Sequence, residues 1–308
     1  MTTMTLPPPT SAGCALDTSP ECFGTLQSSA DLVSDSAALR VRMQTDGYLY
    51  LPGFLNRSDV QDARDQQLKY LADEGHLDAN FSSEEAVAVS GASIPMTADS
   101  ARENRALMRI LYSGRLMEFF EQFLGGAVRH FDYTWLRAVP PGLGTAPHMD
   151  IVYMGRGTTN LYTTWTPLGD VDLEMGGLMI LEGAHHHEKL RQNYGSKDVD
   201  TYCSNRREPL AANELGGGGT IQQGGALSRD PVRLRERLGG RWLTAEFQMG
   251  DVLIFGMYTV HASLDNQSNR IRLSSDSRYQ LASEPADERW IGENPIMHGD
   301  DAKRGLIC

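Results

Sequence analysis

The amino-acid sequence predicts a mainly β fold with flanking α-helices, in which an antiparallel double-sheet core carries helices on its outside. Three observations predict it. From Phe131 onward, short β-rich runs separated by Gly and Pro recur at 131–139, 148–154, 160–166, 177–182, 251–256 and 271–280, the spacing of a β-sandwich or barrel. Ahead of them, apolar residues recur at helical spacing as far as Gly125-Gly126. No internal repeat is visible, and 308 residues suit one elaborated domain with a full core.

Residues 1–30 are rich in Thr, Ser and Pro, a composition that buries too little surface to offset ordering entropy, so a disordered tail is expected and the domain runs over 31–308. Gly47–Leu55 is an apolar, aromatic run containing Pro52-Gly53, which predicts a strand and a turn. A helix follows, with Ser58 as N-cap and Val60, Ala63, Gln67 and Leu71 on its apolar face. Leu107, Ile110, Leu111, Met117, Phe120 and Phe123, on either side of Gly114, predict two short helices. Between about 188 and 241 lies a stretch without clear periodicity, rich in Arg and carrying Gly216–Gly219, which predicts a lid-like insertion with a flexible hinge.

The chain holds 28 basic and 40 acidic residues, a formal charge of -12 that repels phosphate backbones and anionic lipid. No nucleic acid and no membrane partner is expected, and a small-molecule substrate is; the oligomeric state is open. Cys14, Cys22, Cys203 and Cys308 are scattered, with no C-x-x-C pair. There is no basic-then-apolar leader and no run of ~18 apolar residues, so a cytoplasmic protein is expected.

Chemistry concentrates in a few residues. In Pro147-His148-Met149-Asp150 an imidazole and a carboxylate stand two apart, and in a strand such residues share a face. Alone, H-x-D is most often an ordinary hydrogen-bonded pair. His261, just after the buried run 251–256, supplies a second imidazole, and two His with one carboxylate leave three octahedral positions open, as in iron(II) oxygenases. Arg272 comes eleven residues later on a neutral strand, where a buried guanidinium demands an anion. Tyr153 and Arg156 follow the metal motif and are candidates for the pocket mouth, and Arg137 is a candidate to touch co-substrate or substrate. His185, His186 and His187 are read as a loop cap and solvent-facing neighbours, and His76, His130 and His298 as structural.

The segments GYLYLPGFL, APHMD, TTWTPLGDVDLEMGGLMILEGAHH and GDVLIFGMYTVHASLDNQSNRIRLSSDSRYQ, in this order, resemble the phytanoyl-CoA dioxygenase family over residues 40 to 280. The resemblance implies a double-stranded β-helix (jelly-roll, cupin-like) core. It makes His148, Asp150 and His261 the ligands of Fe(II) and Arg272 the partner of the distal carboxylate of 2-oxoglutarate. Ser263 matches a family hydroxyl near that carboxylate, and Trp165 a family aromatic near the same site, although a purely core tryptophan fits the sequence equally. Met149 stands where the family often has Gln. The implied reaction consumes O2 and 2-oxoglutarate, releases succinate and CO2, and hydroxylates a C–H bond of a small or medium-sized organic molecule. Desaturation, epoxidation and cyclisation would use the same centre, and a non-catalytic cupin-like binding protein is the reading from another class. Asp150 fills the position a halide would need, and family membership does not imply a CoA thioester as substrate.

Overall fold

The computed structural model describes residues 7–96, 98–203, 208–209 and 225–306. The chain begins with a small hairpin, β1 (Thr10–Ser11) and β2 (Cys14–Ala15), followed by β3 (Phe23–Thr25). α1 (Ser36–Asp46) starts at Asp35, whose carboxylate accepts two helix N–H groups, and ends at Gly47 in the left-handed conformation. β4 (Tyr48–Leu51) and its turn lead into α2 (Arg57–Asp73), whose N-cap is Asn56 and not Ser58; the Asn56 side chain accepts from the backbone N–H of Ser58. The buried face of α2 is Val60, Ala63, Gln67, Leu68 and Leu71, as the periodicity predicts. α3 (Ala98–Glu103), α4 (Arg105–Tyr112) and α5 (Arg115–Leu124) complete the helical layer.

The β core then runs β5 (Val128–His130), β6 (Trp135–Val139), the single turn α6 (Ile151–Met154), β7 (Tyr162–Pro167) and β8 (Leu178–Leu181). After α7 (Glu188–Asn193), β9 (Thr201–Cys203), β10 (Glu208–Pro209) and α8 (Pro231–Leu238), the core resumes with β11 (Trp242–Thr244), β12 (Val252–Gly256), β13 (His261–Ser263) and β14 (Arg272–Leu281), and β15 (Arg304–Leu306) comes last. Two sheets result. The larger has the order β4-β12-β7-β14-β5 with β6 also on β14, and the smaller has β13-β8-β11-β3.

Strand alternation explains how both faces of the larger sheet are covered. Leu49, Leu51, Val252 and Ile254 join the cluster formed with α1, α2, α4 and α5, whereas Tyr48, Tyr50, Leu253 and Phe255 join Leu178, Ile180 and Leu243 of the smaller sheet. A jelly-roll core with helices against one outer face is therefore the architecture, as expected.

Three expectations are corrected. Residues 7–30 are packed against the domain and do not form a disordered tail: β3 pairs in parallel with β11, Leu16, Cys22 and Leu26 are buried, and the Ser11 hydroxyl donates to the Ser263 carbonyl at 2.8 Å. Composition misses this because main-chain pairing and a few well-placed apolar side chains do the anchoring. The 148–154 run is not a strand. His148 makes one antiparallel bridge to His261, and Asp150 already has helical dihedrals at the start of α6. The stretch 188–241, read as lacking clear periodicity, contains two helices, α7 and α8, the latter announced by Asp230 as N-cap and Pro231 in its first turn. Gly216–Gly219, the expected hinge, lies outside the described residues.

The C-terminal segment is tied to this insertion by charge. The fully buried Arg289 reaches Asp287 at 2.6 Å, Asp200 at 2.6 Å and Asp198 at 3.0 Å. Burial alone would raise Asp200 and Asp287; His298 and Arg289 hold the first below the usual carboxylate range, and Arg289 holds the second there. A depressed folded-state pKa contributes stability above the unfolded pKa of about 4, lost as pH falls through the folded value. Replacing Arg289 with Met is expected to destabilise the protein by about 3–5 kcal/mol at neutral pH, because the carboxylates stay buried without their cation. Thermal melts of both proteins should show the gap narrowing below about pH 4, as the carboxylates protonate.

Candidate metal centre

The bridge between His148 and His261 and the turn into α6 bring three side chains to one point. Asp150 Oδ1 lies 3.6 Å from His148 Nε2 and 3.6 Å from His261 Nε2. Among the described residues, these three form the only group of His, Cys, Asp or Glu with metal-binding spacing, their ligand atoms falling within 4.8 Å of one another. The remaining ring nitrogens fix the tautomers. His148 Nδ1 is 2.8 Å from the Ala146 carbonyl and His261 Nδ1 is 3.0 Å from the Thr259 carbonyl; a carbonyl only accepts, so each Nδ1 carries the proton and each Nε2 offers a lone pair.

Asp150 is oriented from its other oxygen, Oδ2, which accepts from the Thr163 hydroxyl and, at 3.2 Å, from Arg278. Burial works against its charge, but Arg278, His261 and His148 outweigh that and hold it well below the usual carboxylate range. Burial, with His148 beside it, pushes His261 down to about 4, so the imidazole is neutral as a ligand must be. Phe255 packs on the His261 ring at 4.3 Å and Tyr153 on the His148 ring at 5.4 Å. Two imidazole nitrogens and one carboxylate oxygen, already oriented and with lone pairs converging, fit iron(II).

Arg272 lies in the same chamber and is 2 % exposed. Its Nη1 donates to the Gly176 carbonyl, while Nε has no partner and no ion pair to Arg272 is present among the described residues. Burial, then the nearby Arg137, brings its guanidinium down to about 10, which leaves it charged at neutral pH. Gly176 can be nothing larger: its φ is +81° and a Cβ there would stand 2.6 Å from the carbonyl oxygens of Leu264 and Asp265. Ser263 lines the chamber and its hydroxyl accepts from the Thr145 N–H at 2.8 Å. Trp165 also lines it, braced edge-on by Phe247 at 4.7 Å.

A second cavity, of about 370 Å³, opens beside the chamber and shares His148, Asp150, Arg137 and Arg278 with it. Tyr153 lines this vestibule. Arg156 does not: it points into the ion cluster, at 2.6 Å from both Asp198 and the Ala302 carbonyl. His298, expected to be structural, is a vestibule residue, with Nδ1 2.8 Å from Asp200. His185 and His186 reach the carbonyls of Gln44 and Thr45 at 3.1 and 3.3 Å, and His187 caps α7.

Sequence reasoning missed Asp276, Thr163 and the contact between Arg278 and Asp150. The signal was present. In β14 the residues Arg272, Ser274, Asp276 and Arg278 alternate onto one face, and in β7 Thr163 and Trp165 do the same.

A two-sheet jelly roll with a His-x-Asp and distal His set, and a buried arginine left for an anion, defines the class of non-haem iron oxygenases. Residues 43–274 match the model of the phytanoyl-CoA dioxygenase (PhyH) family, and the chain belongs to that family. It is a dioxygenase that uses iron and 2-oxoglutarate. The chain is 26% identical over 293 residues to the 1-deoxypentalenic acid 11-beta-hydroxylase of Streptomyces exfoliatus, covering 90% of this chain and 92% of that one. Among solved structures, the epimerase SnoN in complex with Fe3+, alpha ketoglutarate and nogalamycin RO superposes with a TM-score of 0.56 at 21% identity, over 89% of this chain and 96% of SnoN. EctD from S. alaskensis with bound Fe gives 0.56 at 18% identity, over 94% and 92% of the two chains. These two show the shared fold. No helix among the described residues is long and apolar enough to cross a membrane.

Proposed function

We propose that His148, Asp150 and His261 hold the iron, that Arg272 takes the distal carboxylate of 2-oxoglutarate with Ser263 and Trp165 beside it, and that the enzyme hydroxylates a C–H bond of a small organic molecule in the vestibule. The observation that carries this reading is Arg272, a buried cation that forms no ion pair among the described residues, in the chamber that holds the triad. A planar fork suits a carboxylate, and a second carboxylate on the same molecule could then reach the metal. When bound, iron and 2-oxoglutarate supply the oxidising power by reducing O2.

The protein's own residues do the rest. Thr163 and Arg278 hold Asp150 by one oxygen so that the other faces the imidazoles. Phe255, Trp165 and Leu178 wall the chamber against water, and Tyr153, Trp135 and Met154 supply surface against which a carbon skeleton is positioned. Hydroxylation is favoured over other outcomes by the relative named as a hydroxylase. Ala226, inside the 188–241 insertion, lines the vestibule, which supports a part for that insertion in substrate choice. The acidic charge and scattered cysteines support a cytoplasmic setting.

Turnover under 18O2 tests this. One succinate should form per product, with one labelled oxygen atom in each. Succinate formed alongside an unlabelled, dehydrogenated or cyclised product would replace hydroxylation by one of those outcomes.

A further inference from the structure

The charges lining the two cavities do not balance. Among the described residues, the chamber and vestibule present three guanidiniums, Arg137, Arg272 and Arg278, against two carboxylates, Asp150 and Asp276. Loading does not correct this, because the two charges of iron(II) are matched by the two carboxylates of 2-oxoglutarate. One positive charge therefore remains across the two cavities, and a charge partly withdrawn from water without a counter-ion is costly. The surplus stands out in a chain whose overall formal charge is -12.

Position shows where it can be met. Arg278 lines both cavities, but its side chain is 3 % exposed and stacked over Trp135, its Nη2 is on Asp150, and its Nη1, without a partner, is buried away from the opening. Arg272 lies in the inner chamber alone and faces the co-substrate. Arg137 lines both cavities, and its side chain is 30% exposed. Its Nε donates to Asp276 at 2.6 Å, and no hydrogen bond from its two terminal nitrogens to a protein group is found among the described residues. Around it Met96, Trp135 and Met154 give the vestibule an apolar side, facing the polar His148, Asp150, Arg278 and His298.

We infer that the substrate is an organic monoanion, an apolar skeleton carrying one carboxylate or comparable anionic group that docks on the terminal nitrogens of Arg137 at the junction of the two cavities. The inference rests on the iron and 2-oxoglutarate reading above and adds the charge of the substrate to it. An anion held there would be fixed at one end while its skeleton lies along Trp135 and Met154, which orients a particular C–H bond toward the triad. Arg137 is then a specificity-determining residue.

A matched pair of fluorescent probes tests this without knowledge of the natural substrate: 8-anilinonaphthalene-1-sulfonate, a monoanion, and N-phenyl-1-naphthylamine, the same skeleton without the sulfonate. Both are titrated into anaerobic protein loaded with iron(II) and 2-oxoglutarate, with co-substrate binding measured on the same samples. The sulfonate should bind at least about tenfold more tightly than the amine, the worth of one hydrogen bond to a charged group. Arg137→Gln should remove that preference and Arg137→Lys should keep part of it. Asp276→Asn, which enlarges the positive surplus, should strengthen it, and this variant keeps the test decisive if Arg137→Gln does not fold. Equal affinities in the wild type, or a preference unchanged in Arg137→Gln or Asp276→Asn, overturns the inference while leaving the co-substrate reading intact. Failure of 2-oxoglutarate to bind the iron-loaded protein overturns both.

Discussion

Replacing Arg272 with Leu should raise the Michaelis constant for 2-oxoglutarate by about 100-fold or more, the effect of removing one partner from a buried, hydrogen-bonded charge pair. The expectation follows from its isolation: no acidic side chain pairs with it among the described residues, so the incoming carboxylate is the anion its burial requires. Arg272→Lys should recover only part of the loss, since an ammonium keeps the charge without the planar fork. Steady-state kinetics in 2-oxoglutarate at saturating iron measure both variants. An unchanged constant in Arg272→Leu would transfer the role to Arg137 or Arg278, the other guanidiniums lining the chamber.

His261→Ala should reduce turnover more than 100-fold and weaken iron binding in parallel, because a third of the proposed ligand set is lost. The fold should persist, since His261 is one residue of a three-residue strand whose main-chain pairing to Ile180 does not involve the imidazole. Thr163→Val provides the scale. It removes a hydrogen bond to the outer oxygen of Asp150 and leaves every ligand in place, so a loss of about 10–100-fold is expected. Iron affinity by equilibrium dialysis, with circular dichroism as the control for folding, separates the two effects. Equal losses in the two variants would mean that His261 acts only on the surroundings of the metal.

Of the strands that build the site, β12 was legible because Val252–Phe255 is a compact apolar run buried on both faces, whereas the mostly polar β14 was legible from the family-like closing segment that contains it. The expected 251–256 and 271–280 match β12 and β14 to within a residue or two. The candidate triad was legible for a different reason: His is scarce, with 8 in the chain, and the family-like segments fix the order of His148, Asp150 and His261. The route by which His148 and Asp150 converge was not legible. Val152, Tyr153 and other β-prone residues after Asp150 suggest a strand, but tertiary packing turns the chain into α6 and one bridge to His261 suffices to place His148. Arg156 was misplaced for a related reason. Its neighbours in space, Asp198 and Glu288, lie far along the chain, and no local pattern announces an ion cluster assembled from three segments. The same holds for Ser11, whose contact with the Ser263 carbonyl spans 252 residues of sequence.

The most direct test of the central claim is a crystal structure of the protein grown anaerobically with iron(II) and 2-oxoglutarate, with anomalous scattering measured at the iron edge. The account predicts one strong peak between His148 Nε2, His261 Nε2 and Asp150 Oδ1, with the distal carboxylate of 2-oxoglutarate on Arg272. A peak elsewhere, such as beside His185 and His186, or a co-substrate carboxylate that avoids Arg272, would contradict it.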